Sequence, residues 1–413
     1  MVSDPARRGL GGDFHRFWLA AAASNLGDGI RLGALPLLAL RLTADPILIG
    51  AVTAMTIAPW IVAPLIGVLV DRSDRRRLII TGQLFRAALL AALIALLAAD
   101  ALTIWVLLAV ALGLGVGEAV VDTGSQAALP QLVDADHLDR ANGRLEMATQ
   151  LLNEVAGVAL GAVLFAWVSA LPFAVDLATF LIGAVLLTRI KRPFQGAPRP
   201  PASVRADLGE GFGFLARHGF LRNLMFAAAV SNIATHMSFA VLVVLVVDRL
   251  GEAESTYGVI VGVSAAGGVL ASFVAGWFVG RFGRRMVLIG APLAMAAGLA
   301  VTAGREGLLA IAAAWFVIKF ALILLIVPTV SLRQALTPEH LLGRVVATFR
   351  MVAFGAAPLG AVLGGVLTRA TDVRTTNAIA AVTMLGATAV LANAIRHLRA
   401  LPPGAPRPAR TGP

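Results

Sequence analysis

Six ionisable residues fall near the middle of long apolar runs: Asp28, Arg31, Glu118, Glu154, His236 and Lys319. A charge inside lipid is costly, so each of these needs a partner or a task. Asp28 and Arg31 are three residues apart and share a helical face, which makes them an internal ion pair or an anchor for a charged substrate. As a pair they make Asp28 a poor proton carrier. Glu154 has no such neighbour in sequence, is the first candidate for a titrating carboxylate, and competes with a packing role paired to Lys319. Glu118 is the second candidate, with Asp122 four residues further along the same face. His236 follows Asn232 by four residues and reads as a satisfied core imidazole or a cavity group. Lys319 lies too deep to reach water easily and is assigned to a cavity. Asp176 reads as structural.

Other chemistries are missing from the pattern. The chain has no cysteine, which removes disulfides, thiolate metal sites and a thiol nucleophile. It has no His/Asp metal pair, no Gly-x-Ser-x-Gly elbow and no phosphate-binding Gly-x4-Gly-Lys-Ser/Thr loop. The expectation is therefore no enzyme, no cofactor, no metal and no direct use of ATP.

The elements that hold these residues must be membrane helices. Of 413 residues, 58% are hydrophobic and 14% charged, against roughly 25% charged in a soluble domain. A soluble fold cannot bury that much apolar side chain. The net charge of +11 comes almost wholly from arginine in short loops and does not point to nucleic acid. Twelve apolar runs are bounded by charges, at about 14–42, 47–70, 78–99, 101–124, 146–169, 171–190, 220–247, 255–280, 286–304, 307–331, 345–368 and 374–397. Each is long enough for a lipid-spanning helix, at about 20 residues per crossing, and none alternates as a barrel strand does. The fold class expected is an all-α membrane protein with twelve transmembrane helices.

Placing the N-terminus in the cytoplasm puts 26 of the 34 basic residues in inner loops and ends. The outer loops hold Arg41, Arg249, Arg305, Arg369 and Arg374, while Arg31, Arg86 and Lys319 lie within spans. That asymmetry fixes both termini inside. Residues 1–190 form a first six-helix half and 220–399 a second. The proline-rich stretch 191–219 reads as a cytoplasmic linker, and 400–413 as a disordered tail.

The halves echo one another. Ser24-Asn25 matches Ser231-Asn232, Gly67 and Arg72 match Gly276 and Arg281, and His137-Leu138 matches His340-Leu341, all at an offset of a little over two hundred residues. Such pseudo-symmetric repeats belong to transporters, with the substrate held at the repeat interface. The stretch Gly67-Val68-Leu69-Val70-Asp71-Arg72-Ser73-Asp74-Arg75-Arg76-Arg77 resembles the loop 2–3 signature of the major facilitator superfamily. A degenerate copy runs Gly276-Trp277-Phe278-Val279-Gly280-Arg281-Phe282-Gly283-Arg284-Arg285. Ser24-Asn25-Leu26-Gly27-Asp28-Gly29, Gln126 to Pro130 and Phe173 with Asp176 resemble the macrolide-efflux and enterobactin-exporter branch.

The resemblance implies the major facilitator fold with helices 1, 4, 7 and 10 around a central cavity. All the mid-span ionisable residues singled out above except Glu154 lie on those four. It also implies an inner gate built from Gly67, Asp71, Arg72, Arg75, Arg76, Gly276, Arg281 and Arg284, in which Asp71 docks at the end of helix 11. Asp74 replaces the family's usual glycine, and aspartate tolerates a left-handed conformation better than most residues, which leaves a tight turn open there. Helix 5 lacks the Gly-Pro pair of proton antiporters, and helix 11 carries Ala357-Pro358-Leu359-Gly360 instead.

The function expected is proton-coupled efflux of small amphipathic, drug- or siderophore-like molecules across a bacterial cytoplasmic membrane, by a monomer whose partners are substrate, protons and lipid. A transporter of a polar or charged metabolite is the alternative, which Asp28, Arg31 and Lys319 would suit. A membrane sensor or an intramembrane enzyme is the remote alternative.

Overall fold

A computed structural model describes residues 10–134, 137–192, 194, 204–304, 307–338 and 341–396. Most of the linker's proline-rich stretch, His340 and the 400–413 tail lie outside the described residues. The described residues are helical throughout, with no strand. Twelve helices follow the twelve apolar runs: α1 Gly11–Leu42, then α2 Pro46–Val70, α3 Arg75–Ala98, α4 Ile104–Leu132, α5 Arg140–Trp167, α6 Leu171–Thr188, α7 Gly219–Arg249, α8 Glu254–Phe282, α9 Arg284–Gly304, α10 Leu308–Leu336, α11 Leu342–Ala370 and α12 Val373–Ile395. A linker helix, Val204–Arg217, precedes α7.

Eleven of the described helices are long and apolar enough to cross a membrane. The twelfth, α1, is diluted by Asp28 and Arg31. Its 32 residues nevertheless make a rod of about 48 Å, against a hydrocarbon core of about 30 Å. α4 and α10 run on to Leu132 and Leu336, past the run ends at 124 and 331. Hydropathy registers immersion in lipid, whereas a helix keeps its backbone bonds in water as well.

Local chemistry sets the ends and breaks. Asp45 accepts from the Ile47 N–H, with Pro46 opening α2. Thr103 accepts from Val106 at the start of α4, and Asp372 accepts from the Thr375 N–H at 2.7 Å beside the start of α12. Each satisfies a donor that the first helical turn leaves free. Between Ala58 and Val62, α2 tightens into a 3₁₀ turn where Pro59 removes a backbone donor. α5 widens into a π-helix over Thr149–Gly157, and α7 does so over Val244–Arg249.

The chain forms two compact units that interleave along the sequence. Unit 1 contains residues 1–201, 239–263 and 361–370; unit 2 contains 202–238, 264–360 and 371–413. In unit 1, α1 packs on α5 and α6, α3 on α4 and α6, and α2 on α4. Glycine sets the closest of these approaches. A Cβ on Gly161 would lie 2.8 Å from the Ile30 carbonyl carbon, and one on Gly29 would lie 2.8 Å from the Asn153 Cα. Gly29, Gly33, Gly157 and Gly161 thus form a small-residue seam between α1 and α5, as lipid-embedded helices require where hydrophobicity does not drive them together.

Residues 239–263 and 361–370, from α7, α8 and α11, also belong to unit 1. Arg41 clamps Glu254 with two bonds of 2.8 Å, Arg369 reaches Asp45 at 2.9 Å, and Ala54, Ala240 and Ala361 pack together.

In unit 2, α9 packs on α10 and α12. Ser264 donates to the Trp315 carbonyl at 3.0 Å, and Ser238 donates to Asn377. The linker helix is anchored there by Leu215 and by the approach of Gly211 to the Arg344 carbonyl. Large apolar side chains such as Phe273, Leu309 and Trp167 are exposed, the expected outside of a protein solvated by lipid.

Candidate functional site

The interior of unit 1 holds a network of charges contributed by four helices. Arg31 of α1, Arg86 of α3 and Asp176 of α6 are each 0% exposed, and Asp28 of α1 is buried. Glu118 of α4 keeps 20% of its side chain exposed. Arg31 lies among three carboxylates. Its Nη2 donates to Asp28 Oδ1 and to Glu118 Oε2, both at 2.7 Å, and its Nε lies 3.3 Å from Asp176 Oδ2. Arg86 Nη2 donates to the same Asp28 oxygen and lies 4.0 Å from Glu118. The Arg86 guanidinium also stacks over the Phe180 ring, 3.9 Å from its centroid. Ser24 donates to Asp28 Oδ2 at 3.5 Å and accepts from Gln83 at 3.3 Å. Asp122, one turn beyond Glu118, is exposed.

Two glycines make room for this network. A Cβ on Gly117 would lie 2.5 Å from Arg86 Cγ, and one on Gly27 would collide with the Asp176 carboxylate and the Thr179 hydroxyl. Charges so enclosed are tolerable only when paired, because desolvation costs several kcal/mol per ion. Several polar atoms nevertheless lack a hydrogen bond among the described residues: Arg31 Nη1, Gln83 Oε1, Arg86 Nε and Asp176 Oδ2.

Asp28, Arg31 and Glu118 therefore come together, but they point into unit 1 toward α3 and α6. Glu154 lies elsewhere, half-buried in the π-helical stretch of α5. Below it Gln150 donates to Glu146 at 3.0 Å. In unit 2, His236 and Lys319 lie within electrostatic reach of each other, and the Lys319 stem rests against Gly268 of α8. Among the described residues no group of three or more His, Asp or Glu is arranged to hold a metal.

A family model described as transmembrane secretion effector matches residues 10–405. The chain belongs to this family of major facilitator superfamily transporters. It is 25% identical over 365 residues to macrolide efflux protein A of Streptococcus pyogenes, which covers 85% of this chain and 88% of the relative. It is 28% identical over 408 residues to multidrug efflux pump Tap of Mycolicibacterium fortuitum, 92% of this chain and 95% of the relative.

Solved structures share the fold. A mutant of the nucleoside transporter NupG superposes with a TM-score of 0.77 at 12% identity, covering 93% of this chain and all of that one. A bacterial homologue of the iron transporter ferroportin, in its inward-facing state, gives 0.75 at 17% identity, covering 94% of this chain and 99% of that one. As a transporter of this superfamily, the protein is a multi-pass membrane protein that moves small molecules and not an enzyme.

In this transporter the signature loop after α2 is held by backbone contacts. Arg75 donates to the Ala127 carbonyl at 3.0 Å, and Arg76 donates to the Thr188 carbonyl. Arg72 is exposed, and Gly67, Gly276 and Gly280 face open space. Arg281 lies 5.8 Å from the Phe282 ring centroid, and Arg284 opens α9. The Asp71 side chain lies outside the described residues.

Asp74 does not use the left-handed conformation open to it. Asp74 is extended, at φ −65°, and its carboxylate accepts from the Arg77 N–H to cap α3. Capping a helix start is what aspartate does well, and it needs no positive φ. The second copy keeps the left-handed turn, with Gly283 at φ +79°.

Reading the sequence by span depth missed Arg86 and Asp176 as members of one site. The signal was present in Arg86, an arginine inside an apolar run, but its partner was not visible along the chain.

Proposed function

We propose that the protein exports small amphipathic molecules across a bacterial cytoplasmic membrane in exchange for protons, as a monomer with both termini in the cytoplasm. The observation that carries this reading is the enclosed charge network of α1, α3, α4 and α6. Ionisable groups at that depth are expensive and mark ion or proton pathways. The two efflux relatives support export and a drug-like substrate. The basic loops support the orientation, and the signature loops support an inner gate at Asp71, Arg75, Arg76 and Arg281.

The test is transport by purified protein in proteoliposomes. A macrolide, a lipophilic fluorescent cation and a catecholate siderophore are offered with and without an imposed pH gradient. Accumulation of at least one of them that collapses when the gradient is dissipated supports the reading. Gradient-independent exchange, or movement only of a small polar metabolite, refutes it.

A further inference from the structure

The network is one positive charge short. Arg31 and Arg86 face three carboxylates within ion-pair distance: Asp28, Glu118 and Asp176. No other cation joins them among the described residues. The helices packed around the cluster add no compensation. α1 contributes Asp28 and Arg31, α3 contributes Arg86, and α6 contributes Asp176. α4 contributes Glu118 and, further out, a fourth carboxylate in Asp122. α5 meets α1 at Gly29 with the backbone of Asn153.

We infer that this cluster is a single-proton binding site, with Asp176 and Glu118 sharing the proton across Arg31 and with Asp122 marking its aqueous mouth. The inference rests on proton coupling only for the site's role in transport; the bound proton itself is measured without substrate.

Geometry divides the labour. Asp28 accepts from both guanidiniums through one oxygen and from Ser24 through the other, so it remains the anion that holds them. Asp176 is wholly enclosed; its Oδ1 accepts a long bond from the Thr179 hydroxyl at 3.5 Å, while its Oδ2 lies 3.3 Å from Arg31 Nε and has no hydrogen bond among the described residues. Glu118 is the member in contact with the outside, and Asp122 stands one turn beyond it, exposed. A proton delivered by water forms an O–H bond on a Glu118 oxygen, leaves the water neutral, and loosens the Glu118–Arg31 hydrogen bond. Arg31 then turns its full charge to Asp28 and Asp176. Passing the proton to Asp176 reverses the balance. A buried acceptor, Gln83 Oε1, and a buried donor, Arg31 Nη1, have no hydrogen-bond partner among the described residues. The site therefore keeps unused hydrogen-bonding capacity for a second arrangement.

The test counts protons on carboxyl groups by infrared spectroscopy of detergent-purified protein at neutral pH, with isotope-labelled aspartate and glutamate and no substrate. The wild type should show a protonated-carboxyl band that disappears in Asp176→Asn and in Glu118→Gln, because either change leaves two cations facing two anions. Arg86→Gln should instead add a second protonated carboxyl. If Asp176→Asn fails to fold, Glu118→Gln, at the network's edge, answers the same question.

A band unchanged in both carboxylate variants, or one lost instead in Glu154→Gln, overturns the inference. So does a band displaced by sodium chloride but not by choline chloride, which would assign a sodium site. A cluster proton without pH-driven transport would refute the proposed function and leave this site standing. The converse result would do the opposite.

Discussion

Arg86→Met tests whether the buried network carries stability as the geometry requires. The arginine is fully enclosed, donates to Asp28, lies 4.0 Å from Glu118, and stacks 3.9 Å above Phe180. Methionine fills a similar volume, so the cavity cost is small and the loss is electrostatic. Removing one member of a buried ion pair typically costs about 3–5 kcal/mol; here the three carboxylates are left to share Arg31 alone, and that cost is what drives one of them to take up a further proton. The stacked guanidinium adds about 2 kcal/mol in a desolvated site. The total, roughly 5–7 kcal/mol, is a large fraction of the stability of a typical domain, about 5–15 kcal/mol.

The expected result is a strongly lowered melting temperature in detergent, with Arg86→Lys intermediate. Lysine keeps the charge but cannot fork toward two carboxylates. Adding Asp176→Asn to Arg86→Met removes one surplus anion and should recover part of the loss, which a double-mutant cycle reads as coupling between the two sites. A single Arg86→Met variant that melts with the wild type, or a cycle with no coupling, refutes the network as described.

Gly161→Leu should lower the melting temperature and the yield, since its first side-chain atom already collides with the Ile30 carbonyl; over-packing of this kind costs about 1–3 kcal/mol, and a normally stable variant would show that the α1–α5 seam is loose. Asp71→Asn should insert normally but transport poorly in the proteoliposome assay, and undiminished transport would remove it from the gate. Reporter fusions at Arg399 and within residues 248–254 should report opposite sides of the membrane, whereas equal signals would mean a miscounted helix.

Asp13 links the start of α1 to the linker by accepting from the backbone N–H groups of Lys191 and Arg192, at 3.2 and 3.0 Å. Burial pushes its carboxyl up, but those two bonds and Arg16 outweigh it and hold it below the usual carboxylate range. The link is therefore complete above about pH 4, the ordinary aspartate value, and is lost as pH falls through the lowered one. Asp13→Asn should raise tryptic cleavage after Lys191 at neutral pH, and cleavage identical to wild type would show that the link does not restrain the linker.

The order of the membrane helices and the superfamily were legible in the sequence alone. These follow from hydropathy and local signatures, which are read along one strand of chain. It also placed Asp28 beside Arg31, since three residues along a helix put two side chains on one face. It could not show that Arg86 and Asp176 complete that pair. They arrive from α3 and α6, and their meeting depends on how closely α6 approaches α1 at Gly27 and α3 approaches α4 at Gly117, which those glycines decide by lacking a side chain. Helix ends were misplaced for a related reason: α4 and α10 outlast their apolar runs, and α5 begins six residues before its own, because hydrogen bonding, and not lipid, ends a helix. The turn at Asp74 was settled by a competition that a motif does not display. The carboxylate had a free N–H to cap at Arg77, and that bond removed the need for a left-handed residue. Only the tertiary structure decided which charges share a site, because pairing across helices is a matter of distance between backbones, and no spacing along the chain encodes it.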